Sequence, residues 1–60
     1  MKELRAYLRA NGISQGELAR RMKSDRFQVS RWINGVKVPN VATLKRISRV
    51  TGLTLDQLAK

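Results

Sequence analysis

Side chains that can contact the edges of nucleobases are concentrated around residues 26–31. Arginine can donate two hydrogen bonds to guanine, glutamine can pair with adenine, and an aromatic edge can pack on the methyl group of thymine. If this segment is helical, at about 100° per residue, Phe27 and Arg31 point nearly opposite to the apolar Val29 and therefore outward. The candidate base-reading residues are Arg26, Phe27, Gln28, Ser30 and Arg31.

The charge of the chain is strongly positive. Thirteen Lys and Arg residues stand against four Asp and Glu residues, which gives a formal net charge of +9. A basic chain attracts polyanions, and this attraction supplies the sequence-independent part of nucleic-acid binding. A merely solvated surface and an anionic membrane surface are the competing interpretations of the charge alone.

Residues for catalysis or metal binding are scarce. The sequence has no cysteine and no histidine, which removes thiolate ligands and the commonest general base. Each acidic residue lies in or beside the first turn of a predicted helix, where the helix dipole favours a negative charge. These residues are Glu3, Glu17, Asp25 and Asp56. We therefore predict no enzymatic activity, no cofactor and no metal site.

Apolar segments are short throughout the sequence. None approaches the ~18 residues of a membrane span, and no signal peptide is visible. With no cysteine to form disulfides, the sequence predicts a cytoplasmic location and no membrane partner.

Turn-forming residues divide the sequence into five short segments with helical periodicity. We predict an all-α fold, a compact bundle of five short helices that forms one domain over residues 1–60. The predicted helices run from about Lys2 to Ala10, from the cap Ser14, from Asp25 to Asn34, from Val41 to Val50, and from the cap Thr54. The predicted core consists of Leu4, Leu8, Leu18, Met22, Val29, Trp32, Ile33, Leu44, Ile47, Leu53 and Leu58.

The predicted helix starts share one pattern. A capping residue is followed three positions later by a residue that can bond back to the cap, as in Ser14 with Glu17 and Thr54 with Gln57. Asp25 and Gln28 have the same spacing at the start of the third helix.

Basic side chains on two helices are expected to face solvent. In the fourth helix, Lys45, Arg46 and Arg49 are expected to point mostly outward, and Arg5 and Arg9 of the first helix are expected to be solvated.

The second and third predicted helices are joined by Lys23 and Ser24 or little more. So short a connection makes two helices cross at a large angle, which is the helix-turn-helix arrangement. In that arrangement, the first helix lies across a phosphate backbone and the second enters the major groove of double-stranded DNA.

Two stretches and one later residue resemble the lambda-repressor-like helix-turn-helix of phage Cro and repressor proteins. The stretches are Ser14–Met22 (SQGELARRM) and Val29–Gly35 (VSRWING), and the residue is Pro39. The resemblance extends over nearly the whole chain, and it departs from many relatives at Lys23, where they have glycine in the turn. It implies a transcription regulator that reads bases from the third helix.

The resemblance also implies which residues contact phosphates. The family's phosphate-binding glutamine falls on Gln15, beside the cap Ser14. Its helix end and following loop fall on Asn34, Gly35 and Lys37. A basic side chain at Lys23 could also reach a phosphate, which completes the predicted phosphate-binding set of Ser14, Gln15, Lys23, Asn34, Gly35 and Lys37.

Three functions remain open from the sequence. The first is a sequence-specific regulator that binds a palindromic operator as a homodimer formed on DNA, with its dimer surface around Thr51–Leu55 by resemblance. The second is an antitoxin-like module that binds a toxin-like protein and its own promoter. The third is RNA or non-specific polyanion binding, which the lack of strands and of an aromatic platform disfavours. Phe27 fits either a base contact or a packing or partner surface.

Overall fold

Five helices follow one another in the computed structural model, which describes residues 1–59. They are α1 (Lys2–Asn11), α2 (Gln15–Met22), α3 (Arg26–Ile33), α4 (Val41–Thr51) and α5 (Leu55–Ala59). No strand occurs within residues 1–59. The predicted all-α fold of five short helices is therefore confirmed. Within this described part of the chain, no helix is long and apolar enough to span a membrane.

Among residues 1–59, four of the five helices begin after a residue whose side chain satisfies a free backbone N–H group, whereas Met1, before α1, makes no such bond. Ser14 Oγ accepts from the Glu17 N–H at 3.0 Å, and Asn40 Oδ1 accepts from the Thr43 N–H at 2.9 Å. At α5, Thr54 and Gln57 bond in both directions, at 2.8 and 3.1 Å, so the predicted capping box is closed. Local sequence therefore sets where these helices start.

The other two predicted capping boxes are only half formed. At α2, the Glu17 carboxylate turns to Arg20 and Arg21, at 3.5 and 3.4 Å, instead of to the N–H of its cap. At α3, the Asp25 carboxylate accepts from the Phe27 N–H at 2.6 Å, and no bond returns from Gln28 within the part of the chain described. Each cap satisfies one backbone donor instead of two.

One apolar core holds the five helices together, with α2 packed most extensively on α3. The buried apolar side chains are Leu4, Leu8, Leu18, Ala19, Met22, Val29, Trp32, Ile33, Ile47 and Leu58. Of the predicted core, Leu44 and Leu53 are only half-buried against this cluster, at its edge. Pro39, in the loop between α3 and α4, is buried as well.

Arg46 makes a contact that helical periodicity did not predict. It is exposed on α4, as expected, and its guanidinium donates to the main-chain carbonyl oxygen of Met22, at the end of α2. A cation at the carboxyl end of a helix satisfies a free carbonyl and offsets the helix dipole. Arg46 thus ties α4 to the turn between α2 and α3.

Candidate nucleic-acid interface

The turn between α2 and α3 fixes the relation of the two helices. Lys23 ends α2 in the left-handed conformation, with φ 54° and ψ 42°. The N–H groups of Lys23 and Ser24 donate back to the carbonyls of Arg20 and Ala19, at 3.1 and 2.8 Å. Asp25 then caps α3. Lysine here adopts a left-handed backbone conformation that favours glycine, and the two helices keep the helix-turn-helix arrangement.

We expect Lys23→Gly to raise the free energy of unfolding by about 0.5 kcal/mol. Lys23 is the only non-glycine residue with positive φ among residues 1–59. Glycine relieves a strain of roughly 1 kcal/mol, part of which its larger loss of backbone entropy offsets. Urea unfolding of the parent and the variant measures the difference.

Lys23→Ala is the matched control, because it removes the same charge but keeps the strained conformation. Equal stability of the glycine and alanine variants would contradict the expected relief of strain. If Lys23 also contacts a phosphate, both variants lower the slope of log affinity against log salt by about one.

An open concavity lies where the start of α2 meets the exposed face of α3. Its volume is about 510 Å³. It is lined by Ser14, Gln15, Gly16, Arg26, Phe27 and Ser30. The structure therefore brings predicted phosphate-binding residues of α2 beside predicted base-reading residues of α3.

Three of the predicted base-reading residues are exposed on α3. Phe27 is 60% exposed, and the Arg26 guanidinium lies over its ring at 5.4 Å from the centroid, within cation–π range. Arg31 is exposed and has no side-chain hydrogen bond or ion pair with residues 1–59. These side chains are free to meet a ligand that covers α3.

Gln28 is oriented differently from the other candidates. Its side chain is half-buried, and its Oε1 is buried without a hydrogen-bond partner in the described part of the chain. Pairing with adenine requires both amide atoms to face the base. Gln28 would have to turn outward to read a base, and its predicted role stays a prediction.

The start of α2 presents free hydrogen-bond donors toward the concavity. Within residues 1–59, the main-chain N–H groups of Gln15 and Gly16 donate to no protein acceptor, while Ser14 caps the next N–H. Free N–H groups and the positive end of the helix dipole favour an anion at this position. Gln15 is half-buried and adjoins these donors.

Of the predicted phosphate contacts after α3, the main-chain N–H groups are already bonded within the protein, whereas the Lys37 side chain is accessible. The N–H groups of Asn34, Gly35, Val36 and Lys37 all donate back to carbonyls of α3, at 2.9 to 3.3 Å. Gly35 therefore has no free N–H to donate. The space around its Cα is open, so a ligand can approach its backbone closely without receiving a hydrogen bond from it. The Lys37 side chain is exposed.

Two contacts at the end of α3 were not predicted from the sequence. The α-amino group of Met1 donates to the carbonyls of Trp32 and Ile33, both at 3.2 Å. Arg5, expected to be solvated, is exposed but donates from Nη2 to Asn34 Oδ1 at 2.9 Å. These partners are about thirty positions apart, and local sequence patterns carry no signal for them.

The two helices joined by a tight turn, with an exposed polar face on the second, define a helix-turn-helix DNA-binding protein. The model of a helix-turn-helix family matches residues 4–58, which leaves out only residues 1–3 and 59–60. The chain therefore belongs to this family, and its resemblance to lambda-repressor-like proteins is confirmed. It is a DNA-binding transcription regulator. No curated protein and no solved structure matched the chain.

Proposed function

We propose that the chain is a sequence-specific, Cro- or repressor-like regulator that inserts α3 into the major groove of a palindromic operator. The observation that carries this proposal is the joint surface of α2 and α3, where Arg26, Phe27 and Ser30 adjoin the free N–H groups at the start of α2. Base contacts specify a sequence and phosphate contacts position the protein, so a specific binder needs both kinds side by side. Residues 1–60 act in this proposal as one DNA-binding domain.

In this proposal, phosphate contacts come from both ends of the joint surface. Ser14 and Gln15 contact the backbone at the start of α2, and Lys23, Asn34 and Lys37 contact it at the turn and after α3. Gly35, whose N–H is bonded within the protein, lets the backbone approach closely. The net charge of +9 attracts the duplex from a distance. Affinity should consequently fall steeply as salt is raised.

The size of the molecule supports the proposed binding of two copies to one operator. Its longest extent is 22 Å, while successive major-groove segments on one face of DNA are about 34 Å apart. One copy reaches one half-site, so a second copy is needed for the other. The charge of +9 makes free copies repel each other, and DNA phosphates screen that repulsion when both are bound.

The second copy is proposed to contact the segment Thr51–Leu55. Most of this segment is committed internally, since Thr51 Oγ1 donates to the Ile47 carbonyl and Leu53 packs against the core. Leu55, 41% exposed, is the apolar side chain that it offers. So small a contact fits a chain that is monomeric when free and pairs only on DNA.

We expect Leu55→Asp to weaken binding to a full operator about tenfold, since loss of roughly 1.4 kcal/mol of apolar contact corresponds to that factor. Half-site binding should weaken only by the small factor that one added negative charge causes. The operator is first selected from random duplexes with the parent chain, and full and half sites are then titrated. Sedimentation of the free chain at micromolar concentration should give a monomer.

Val38→Asp is the comparison variant, because it introduces the same charge at an exposed apolar residue outside the segment. Non-palindromic selected duplexes, independent filling of the half-sites, or a tight free dimer would contradict the proposed DNA-coupled pairing. Selection of no preferred sequence would contradict sequence-specific regulation itself.

A second candidate function is supported by a different surface. Val36, Val38 and Val41 lie within six positions of one another in the sequence and are 76%, 81% and 65% exposed. An antitoxin-like module would use such a surface to bind a toxin-like protein while α3 binds DNA. The test is whether the chain forms a complex with a co-expressed partner. A complex that is lost in Val38→Asp but kept in Leu55→Asp would support this function.

A further inference from the structure

A chain of hydrogen bonds leads from α1 to the exposed face of α3. Arg5 Nη2 donates to Asn34 Oδ1 at 2.9 Å, and Asn34 Nδ2 donates to Ser30 Oγ at 3.1 Å. Ser30 is half-buried and lines the concavity beside Arg26 and Phe27. A residue of α1 is thus connected to the surface that the proposed function assigns to DNA.

The direction of these bonds is determined by the first member. A guanidinium only donates hydrogen bonds, so the amide atom of Asn34 that faces Arg5 must be the oxygen. The NH₂ group of Asn34 then faces Ser30, and Ser30 Oγ must accept. The hydroxyl proton of Ser30 is left without an acceptor among residues 1–59.

We propose that Arg5 is a positioning residue that, through Asn34, fixes Ser30 as a hydrogen-bond donor toward DNA. The inference rests on the proposed function and names what Ser30 recognises: an acceptor atom on the major-groove edge, such as guanine N7 or O6, adenine N7 or thymine O4. The cytosine amino group, a donor, is disfavoured at the same place.

Loss of Arg5 removes this restriction. Asn34 can then rotate its amide, and its oxygen can accept the Ser30 proton, so Ser30 no longer presents a fixed donor. DNA that covers α3 excludes water, which strengthens hydrogen bonds within the covered surface. The effect of the chain of bonds should therefore be larger in the complex than in the free protein.

The test compares binding to a duplex selected from a random library by the parent chain with binding to all its single-base-pair variants. Ser30→Ala should lower discrimination at one base pair by about 3- to 10-fold, the range for one neutral hydrogen bond. Arg5→Met should lower discrimination at that same base pair by roughly 2- to 5-fold, and combining it with Ser30→Ala should add nothing further.

Two variants serve as controls in this experiment. Arg9→Met removes the same charge from the exposed face of α1, where Arg9 makes no side-chain bond to residues 1–59, and should leave discrimination unchanged. Arg5→Lys keeps a donor and should restore most of the discrimination. If Arg5→Met weakens all duplexes equally and lowers the salt slope, Arg5 is a phosphate contact and the proposal is overturned.

A measurement without DNA separates this inference from the proposed function. In NMR spectra of the free chain, Arg5→Met should shift the side-chain NH₂ signals of Asn34, whereas Arg9→Met should not. Unchanged Asn34 signals in Arg5→Met would overturn the chain of bonds. A different outcome is that Arg5→Met shifts the Asn34 signals but the parent chain selects no preferred DNA sequence. That outcome would overturn the proposed function and the base-reading role of Ser30, but not the contact between Arg5 and Asn34.

Discussion

Trp32→Ala should unfold the chain or severely destabilise it at 25 °C. Trp32 lies on the inner face of α3, is only 6% exposed, and packs among side chains of the other helices. Replacing a large buried aromatic with alanine costs about 3–5 kcal/mol. A chain of this size has a total stability of roughly 3–9 kcal/mol, so the substitution removes between about a third and all of it.

Circular dichroism during urea and thermal unfolding measures this effect. Trp32→Phe, which keeps an aromatic ring in the core, should lose less stability and still unfold cooperatively. Phe27→Ala is the matched control on the same helix, since Phe27 is 60% exposed and its loss should hardly change the midpoint. A cooperative transition of Trp32→Ala near that of the parent would contradict a core role for Trp32.

The parts of the fold that depend on neighbouring residues were predictable from the sequence. Ser14 and Thr54 cap α2 and α5 as predicted, because a cap bonds to groups two or three positions away. The inner face of α3 was predictable for a similar reason. Val29, Trp32 and Ile33 share one side of any helix whatever packs against it.

Features that depend on distant residues were not predictable in this way. Arg46 and Arg5 are exposed, as periodicity predicted, but their contacts were missed. Arg46 donates to the carbonyl of Met22, 24 positions away, and Arg5 donates to Asn34, 29 positions away. Long flexible side chains reach whichever acceptor the tertiary fold places nearby. No local pattern contains that information.

The candidate site shows the same division. Phe27 and Arg31 are exposed on α3, as their spacing from Val29 predicted. Gln28 lies between exposed Phe27 and buried Val29, about 100° around the helix from Val29. At this border between the two faces, the packing of neighbouring helices decides where its side chain points. Its Oε1 is buried, and this could not be derived from helical spacing.

Arg31, on the exposed face of α3, is the residue for which we expect the largest effect on DNA binding. Arg31→Ala should lose about 1–3 kcal/mol of binding to the selected operator, a 5- to 150-fold loss, because one bidentate contact to guanine is worth that much. Arg31 is exposed and makes no side-chain bond within residues 1–59, so the substitution should leave stability nearly unchanged. Titration of the operator and of a scrambled duplex at fixed salt measures the loss of specificity.

Two controls separate base reading from loss of charge. Arg49→Ala removes an exposed arginine from the last turn of α4 and should weaken both duplexes by the same small factor. Gln15→Ala should weaken operators of different sequence evenly, because a phosphate contact positions the protein without reading bases. The controls are expected to weaken binding to the operator and to the scrambled duplex by equal factors. If Arg31→Ala does the same, then Arg31 contacts a phosphate and another residue of α3 must read the sequence.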